Sequence, residues 1–453
     1  MMARFNIAAL AEGETVESWG RYPRVAHRGV LRPACEDEVL AALRDADTTV
    51  LPRGLGRSYG DSCLNAGGYL VENTGLKAIH EFDPEKGRLR CGAGVTLDEI
   101  LRLAVPHGWF LPVTPGTKFV TVGGAIANDV HGKNHHRAGN FGHHVLRLEL
   151  LRSNGERIVC SEKENADWFA ATVGGLGLTG FILGAEIQLK PISGPFIEME
   201  SIKFDSFDEF VEISSRSDKD FEYTVAWLDC LGGRGSAIRG IFIRGNHSAE
   251  AGGQPVKLHP TKSWKSVPFD APSCLLSTPT VRAFNFLYYH KQFAKRQQKL
   301  VHYDPFFYPL DGVRNWNRMY GRRGFLQWQC VVPFSSDNAA ILEILGKIKQ
   351  SGLASFLVVL KEFGDRPSRG LLSFPMPGVT LALDFANRGK PLFALLEELD
   401  RIVVANGGRI YPAKDARMSA KTFAASFPRF REFSKYIDPK ISSSFYRRIK
   451  EEP

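Results

Sequence analysis

The chain has 453 residues, 43% of them hydrophobic and 24% charged, and a formal net charge of +9. That length predicts two domains rather than one core, and that composition predicts a globular chain rather than a disordered or fibrous one. No stretch approaches the eighteen or so apolar residues of a membrane span, and the excess positive charge suggests an anionic partner without naming it.

The opening MMARFNIAALAEGETVE carries an apolar run too short for a secretory signal, with acidic residues close behind, which predicts a cytoplasmic protein that meets a membrane only at its surface. Seven cysteines (Cys35, Cys63, Cys91, Cys160, Cys230, Cys274 and Cys330) are scattered, odd in number and free of any CxxC spacing. That pattern predicts neither a disulfide framework nor a cysteine zinc site, and reduced thiols are the default reading.

TVLPRG reads as a strand entering a glycine-rich segment, PRGLGRSYGDSCLNAGG, from Pro52 to Gly68. Its Gly54, Gly56 and Gly60 are spaced GxGxxxG, one residue off the dinucleotide fingerprint, and Asp61 to Gly68 reads as loop rather than helix. The Rossmann reading therefore fails on register and on context, and a ligand-free turn remains as an alternative for this loop alone. Thr96-Leu97-Asp98-Glu99 predicts a capping box opening a helix through Val105.

A second glycine-rich segment, TPGTKFVTVGGAIANDVHGKNHH, runs from Thr114 to His136. Glycine lets a backbone approach a phosphate and turn N–H groups toward it, so two such loops suggest a long phosphate-bearing cofactor, and flavin chemistry. Five histidines follow closely: His131, His135, His136, His143 and His144. Intervening glycines break any helix that could aim His131 and His135 together, and no acidic ligands accompany them, so no metal is expected. Structural histidines, or one catalytic histidine among them, are the readings left open.

LRLELLRSNGERIVC predicts a hairpin with Asn154-Gly155 as a type I′ turn. ADWFAATVGGLGLTGFILGAEIQL predicts a helix, a third glycine cluster and a strand. The pattern changes after Lys190-Pro191. Ser206-Phe207-Asp208-Glu209 caps a helix, EYTVAWLDC and GFLQWQCVVP read as strands, and helices follow at 338–350 and 391–405. The last places Leu392, Leu395, Leu396, Leu399, Ile402 and Val403 on one stripe and stops at Asn406-Gly407. Strands and helices without regular βαβ alternation predict an α+β domain. Residues 250–280, rich in Pro, Ser and Lys, read as a long loop. The aromatic, basic run from Ala283 to Lys299 has two readings: an interfacial surface for a lipid-linked phosphate, or a helix with aromatics packed inward and a solvated basic face.

PRGLGRSYGDSCLNAGG, PGTKFVTVGGAIANDVHGKNHHRAGNFG, FFYPLDGVRNWNRMYGRRGFLQWQ, VLKEFG and GGRIYPAKDAR together resemble the decaprenylphosphoryl-β-D-ribose 2′-oxidase family, FAD proteins of the vanillyl-alcohol-oxidase type. The resemblance runs from Trp19 to Pro439. It implies an α+β architecture of two domains: an FAD-binding domain built from residues 1–195 and 409–453, with a substrate domain, 196–408, inserted between them. It implies oxidation of the C2 hydroxyl of a polyprenyl-phosphoryl ribose to the ketone, with a partner short-chain reductase completing epimerisation towards arabinose.

Carried over by position, Arg53, Gly54, Leu55, Gly56, Arg57, Ser58, Tyr59, Gly60, Pro115, Gly116, Thr117, Thr121, Gly123, Gly124, Ala125, Gly175, Ile182 and Tyr411 would bind FAD. Tyr59 stands where many members of the wider superfamily carry a histidine bonded to flavin, which implies a non-covalent cofactor. His131 and Lys414 fall on catalytic positions, and Trp227, Gln327, Gln329, Lys361 and Ala382 on the substrate pocket. Taken alone, Lys414 is an ordinary solvated charge; the resemblance is what raises it above that. Ala382 and Thr380 depart from the cysteine and asparagine of the mycobacterial enzymes, which leaves the substrate's detailed shape and lipid length open. An aldonolactone or sugar-alcohol oxidase is the alternative enzyme. A non-catalytic nucleotide- or nucleic-acid-binding module is the alternative of another class; the intact glycine loops and Lys414 speak against it, so no nucleic-acid partner is expected.

Overall fold

The computed structural model describes residues 16–232, 238–250, 265–272, 275–335 and 337–450. Most of the opening segment, the larger part of 250–280 and Cys274 lie outside the described residues. Three sheets organise the chain into an α+β architecture. Gly29–Leu31, Tyr69–Glu72 and Val50–Arg53 form a small parallel sheet. Five antiparallel strands between Ile79 and Gln188 form the second, with Phe181–Gln188 at its centre. The third has eight antiparallel strands; beginning with Arg296–His302 and Phe196–Phe204, it ends with Phe325–Val332 and Arg409–Ile410. Arg409–Ile410 pairs with Phe325–Val332 at the edge of this sheet.

Local chemistry sets the helices. The Thr96 hydroxyl accepts from Glu99 N while Glu99 reaches back, a complete capping box on Leu97–Ala104. Ser206 caps Phe207–Ser217 by accepting from Glu209 N, while the Glu209 carboxylate accepts from Asp205 N. Lys390–Ala405 buries its leucine stripe against Ala339–Ser351 and the strand Phe325–Val332, and ends where Gly407 takes a φ of +69°. Burying such a stripe, at roughly 25 cal/mol per Å² of apolar surface, is what keeps these helices on the sheet.

The C-terminal segment returns to the first unit. Ser442 N donates to Val50 O at 3.0 Å, and Arg448 bridges Asp61 at 2.7 Å and Asp415 at 2.9 Å. One core consequently joins the parallel sheet, the inserted sheet and the C-terminal helices, while a second lies under the five-stranded sheet.

Three local expectations change. The hairpin at Leu151–Arg157 exists, but only Gly155 has positive φ (+89°), and its N–H bonds Arg152 O. It is therefore a longer turn closed by a left-handed glycine, not a two-residue type I′ turn. Val122–Ala127 is helical, capped by Thr121, because the alternative hydrogen bonds of a loop are replaced by Gly124 N to Thr121 Oγ1. In the run 283–299, the helix Thr278–His290 buries only Val281, Asn285 and Tyr289. Phe286 and Leu287 face outward and Phe293 beyond the helix is 97% exposed, whereas Tyr289 is buried, Tyr288 packs on Trp227 and Phe284 on Phe356, so the reading with aromatics packed inward holds for only part of the run.

Candidate active site

A cavity of about 740 Å³ opens between the glycine-rich turns of the first unit and one face of the inserted sheet. Residues 53–59, 114–117 and 119–121 form much of its first wall, with Gly123, Gly124, Gly177 and Ile182. The opposite wall carries Trp227, Gln327, Gln329, Lys361 and Ala382, and His131, Tyr411 and Lys414 sit where the two meet.

The two glycine loops lock together through Thr121. Its Oγ1 accepts from Gly124 N at 3.2 Å and from Asn73 Nδ2 at 3.3 Å, and any Cβ on Gly54 would come within 2.4 Å of it. Gly56 adopts φ +62° beneath the Arg53 guanidinium, which is itself held by Glu72 and by Glu17 O, each at 2.9 Å. Gly116 has nothing within 4 Å of where a Cβ would project, and Gly124 has only Thr121. These bare backbones leave a cradle into which N–H groups can point, as binding of a pyrophosphate requires. The cradle continues into a long, mainly apolar chamber, so the donor set and the space fit FAD.

Three residues assigned to the cofactor do not line this cavity: Gly60, Ala125 and Gly175. A Cβ on Gly60 would meet Asp415 O at 1.7 Å, and one on Gly175 would meet Ala171 O at 2.1 Å, so both are packing glycines. Ala125 is buried inside its helix.

Lys414 is delivered by a turn in which its N–H donates to Tyr411 O at 3.0 Å, and Tyr59 N donates to Ala413 O at 2.9 Å. Its ammonium lies 3.8 Å from the centroid of the Tyr59 ring. Burial pulls the Lys414 ammonium well below its usual range, with Asp384 opposing that shift, while burial drives Asp384 up. Asp384 accepts from Gln327 and is 1% exposed. Two such groups titrate as a pair.

His131 is held between Phe363, Phe374 and Tyr411. Its Nε2 lies 3.0 Å from Gln329 Nε2, and its buried Nδ1 has no hydrogen-bond partner among the described residues. With Gln329 as donor, the ring proton is on Nδ1. Burial, then Lys361, His135 and Lys414, push its pKa well below 6.5, so the imidazole is neutral. The other histidines are structural: His135 packs on Phe363 with a pKa pushed down to about 3 by burial, and His136, His143 and His144 bond backbone carbonyls. Among the described residues no three His, Cys, Asp or Glu gather as a metal site.

Sequence reasoning missed Asp384 and Lys133. Asp384 shares the alternating face of Thr380 and Ala382, so the period of the strand could have found it. Lys133, two residues after His131, gives no local sign that it is enclosed.

Residues 27–161 match the FAD binding domain family. The chain is 39% identical to the decaprenylphosphoryl-β-D-ribose oxidase of Mycolicibacterium smegmatis, over 95% of this chain and 96% of that protein. It is 32% identical to an uncharacterized protein in the mprA 5′ region of Streptomyces coelicolor, over 78% of this chain and all of that one. Cytokinin dehydrogenase 7 of Oryza sativa subsp. japonica is 30% identical across 38% of this chain and 35% of its own length. By the extent of the first match, this chain belongs to the decaprenylphosphoryl-β-D-ribose oxidase family and is an FAD-dependent oxidoreductase.

Proposed function

We propose that the protein oxidises the C2 hydroxyl of a polyprenyl-phosphoryl ribose to the 2-keto sugar, the first half of a 2-epimerisation that a short-chain reductase completes. The observation that carries this reading is the convergence of His131, Gln329 and Lys414 on the cavity that the glycine loops open. FAD, when bound, supplies the two-electron acceptor. The protein's part is to orient the secondary alcohol and to take its hydroxyl proton, which general acid–base catalysis accelerates by about 10² to 10⁴. A neutral His131 can accept that proton once Gln329 yields Nε2, and Lys414 can take it up or hold developing negative charge. Tyr59, with its ring against Lys414 and no histidine in that loop position, supports a non-covalent cofactor.

The lipid-linked substrate is supported by the outer face of Thr278–His290. Tyr288 lines the cavity and packs on Trp227 with centroids 4.6 Å apart, while Phe286, Leu287 and Phe293 face solvent beside Lys291 and Lys295. Such a surface can rest in a bilayer interface with its cations on acidic headgroups. No helix among the described residues is long and apolar enough to cross a membrane.

The test is anaerobic mixing of the FAD-loaded protein with polyprenyl-phosphoryl ribose, free ribose, an aldonolactone or a sugar alcohol. Bleaching of the flavin by the lipid-linked ribose alone is the expected result. Equal or faster bleaching by the free compounds would move the assignment to a sugar-alcohol or lactone oxidase.

A further inference from the structure

The cavity carries more positive charge than its carboxylate balances: Lys133, Lys361 and Lys414 line it with Arg53, Arg57 and Arg314, against Asp311. Asp311 is occupied by Thr117 Oγ1 and Lys118 N, and Asp384, behind Gln327, opposes the shift of Lys414 while no carboxylate acts on Lys133 or Lys361. Lys133 and Lys361 make no ion pair among the described residues. Each ammonium instead donates to one backbone carbonyl: Lys133 to Phe306 O, and Lys361 to Gly132 O at 2.9 Å. Each also lies against an aromatic face, Lys133 4.6 Å from the Phe306 centroid and Lys361 5.4 Å from that of Phe363.

An ammonium has three donors, so two on each lysine remain for something else. Burying two unpaired cations costs free energy that an incoming anion would offset. Lys361 donates to the carbonyl of Gly132, the residue before Lys133, and both line the same cavity, so one anion can answer both. Both are also anchored on the inserted-sheet wall. Thr224 N donates to Lys133 O at 2.9 Å, and Lys361 lies opposite Thr380 in the strand register. The phosphates of FAD have their own cradle in the two glycine loops, where Gly116 and Gly124 leave the backbone bare, so these lysines are left for a second phosphate.

We propose that Lys133 and Lys361 form a phosphodiester subsite that seats the phosphate of the lipid-linked sugar. This deepens the reading of the substrate as a phosphoryl ribose and rests on it. Lys133 is on this view a binding residue, and the subsite makes recognition of the phosphate separate from the chemistry at His131 and Lys414.

The experiment uses the FAD-loaded protein, so that cofactor phosphates already occupy their cradle. Binding of dimethyl phosphate and of inorganic phosphate is measured by calorimetry in wild type, Lys133→Met, Lys361→Met and the double variant, with Lys133→Gln and Lys361→Gln as substitutes should a methionine variant lose FAD. Each single change should weaken both anions by about tenfold, the scale of a lost charged hydrogen bond, and the double change should abolish binding. In turnover, the variants should raise KM for farnesylphosphoryl ribose about tenfold more than KM for farnesyl riboside, which lacks the phosphate. Equal anion binding in all proteins, or an equal rise in both KM values, would overturn the subsite. If the variants lose phosphate binding but no riboside reduces the wild type, the subsite stands and the substrate reading falls.

Discussion

The Lys414 ammonium rests 3.8 Å from the centre of the Tyr59 ring, and the backbone N–H of Tyr59 donates to Ala413 O. The first glycine loop and the C-terminal segment therefore close the cavity by holding each other. That closure desolvates Lys414, and a desolvated lysine is readily neutral, as a proton acceptor must be.

Lys414→Ala should slow anaerobic flavin reduction by about 10² or more with FAD still bound, the scale on which acid–base and charge-stabilising groups act. Stopped-flow bleaching at matched FAD occupancy measures this. A surface lysine would leave the rate almost untouched. Equal rates would remove Lys414 from the mechanism and make His131 the next residue to replace.

Acid precipitation of the yellow protein should release intact FAD into the supernatant. Flavin remaining on the polypeptide would contradict the non-covalent assignment. Gly124→Val should release FAD from the folded protein: a Cβ there meets only Thr121 Oγ1, at 3.2 Å, so the branched side chain projects into the cradle. Circular dichroism checks the fold and absorbance the cofactor.

Ala382 lies opposite Gln329 in the strand register and lines the cavity. Ala382→Cys should place a thiol where a thiol-directed reagent seated in the cavity can reach it. Mass spectrometry should find one adduct more in the variant than in the wild type, and peptide mapping should place it at position 382, apart from any labelling of the exposed Cys35. Cys330, on the adjacent strand, is fully buried with its pKa driven up by burial, and Cys63, which also lines the cavity, is shifted upward too. Equal labelling of variant and wild type would refute this.

Burial lowers Lys361 to about 7, whereas an unfolded lysine stays protonated to 10.5. Between those values unfolding takes up a proton, so Lys361 makes stability rise with pH across that window. Below about 7 both states are charged and the full cost of burial applies. Lys361→Met should therefore raise Tm at pH 7 by about 1 °C, for a gain on the order of 1 kcal/mol, and flatten the rise toward pH 10. Calorimetric scans in phosphate-free buffer test both. A lower Tm with an unchanged slope would show that the Lys361 ammonium is not desolvated.

Replacing Phe286, Leu287 and Phe293 together by Asp should abolish sedimentation with phosphatidylglycerol-containing vesicles. Flavin reduction by a detergent-solubilised substrate should stay within about twofold, because exposed substitutions perturb the fold little. Undiminished vesicle binding would place any membrane contact elsewhere.

Both glycine loops, the Thr96 and Ser206 caps and the leucine stripe of Lys390–Ala405 were legible in the chain because each depends on residues a few positions apart. The cavity residues named from the sequence came from motif resemblance, and most line one chamber; Gly60 and Gly175 instead turned out to carry packing, which a glycine's identity cannot distinguish from ligand approach. The outward face of Phe286 and Leu287 was not legible either, since an aromatic helix reads alike whether it is covered or exposed.

By itself the sequence determined where the backbone is bare, where helices start and stop, and to which family those motifs belong, all of them local properties of residue type and spacing. The tertiary structure alone decided which charges lose water. Lys133, Lys361 and Lys414 look like any surface lysine in the chain. They become buried cations because the first loop, the inserted sheet and the C-terminal turn, remote in sequence, enclose one space, and desolvation depends on everything that surrounds a charge rather than on its neighbours along the backbone.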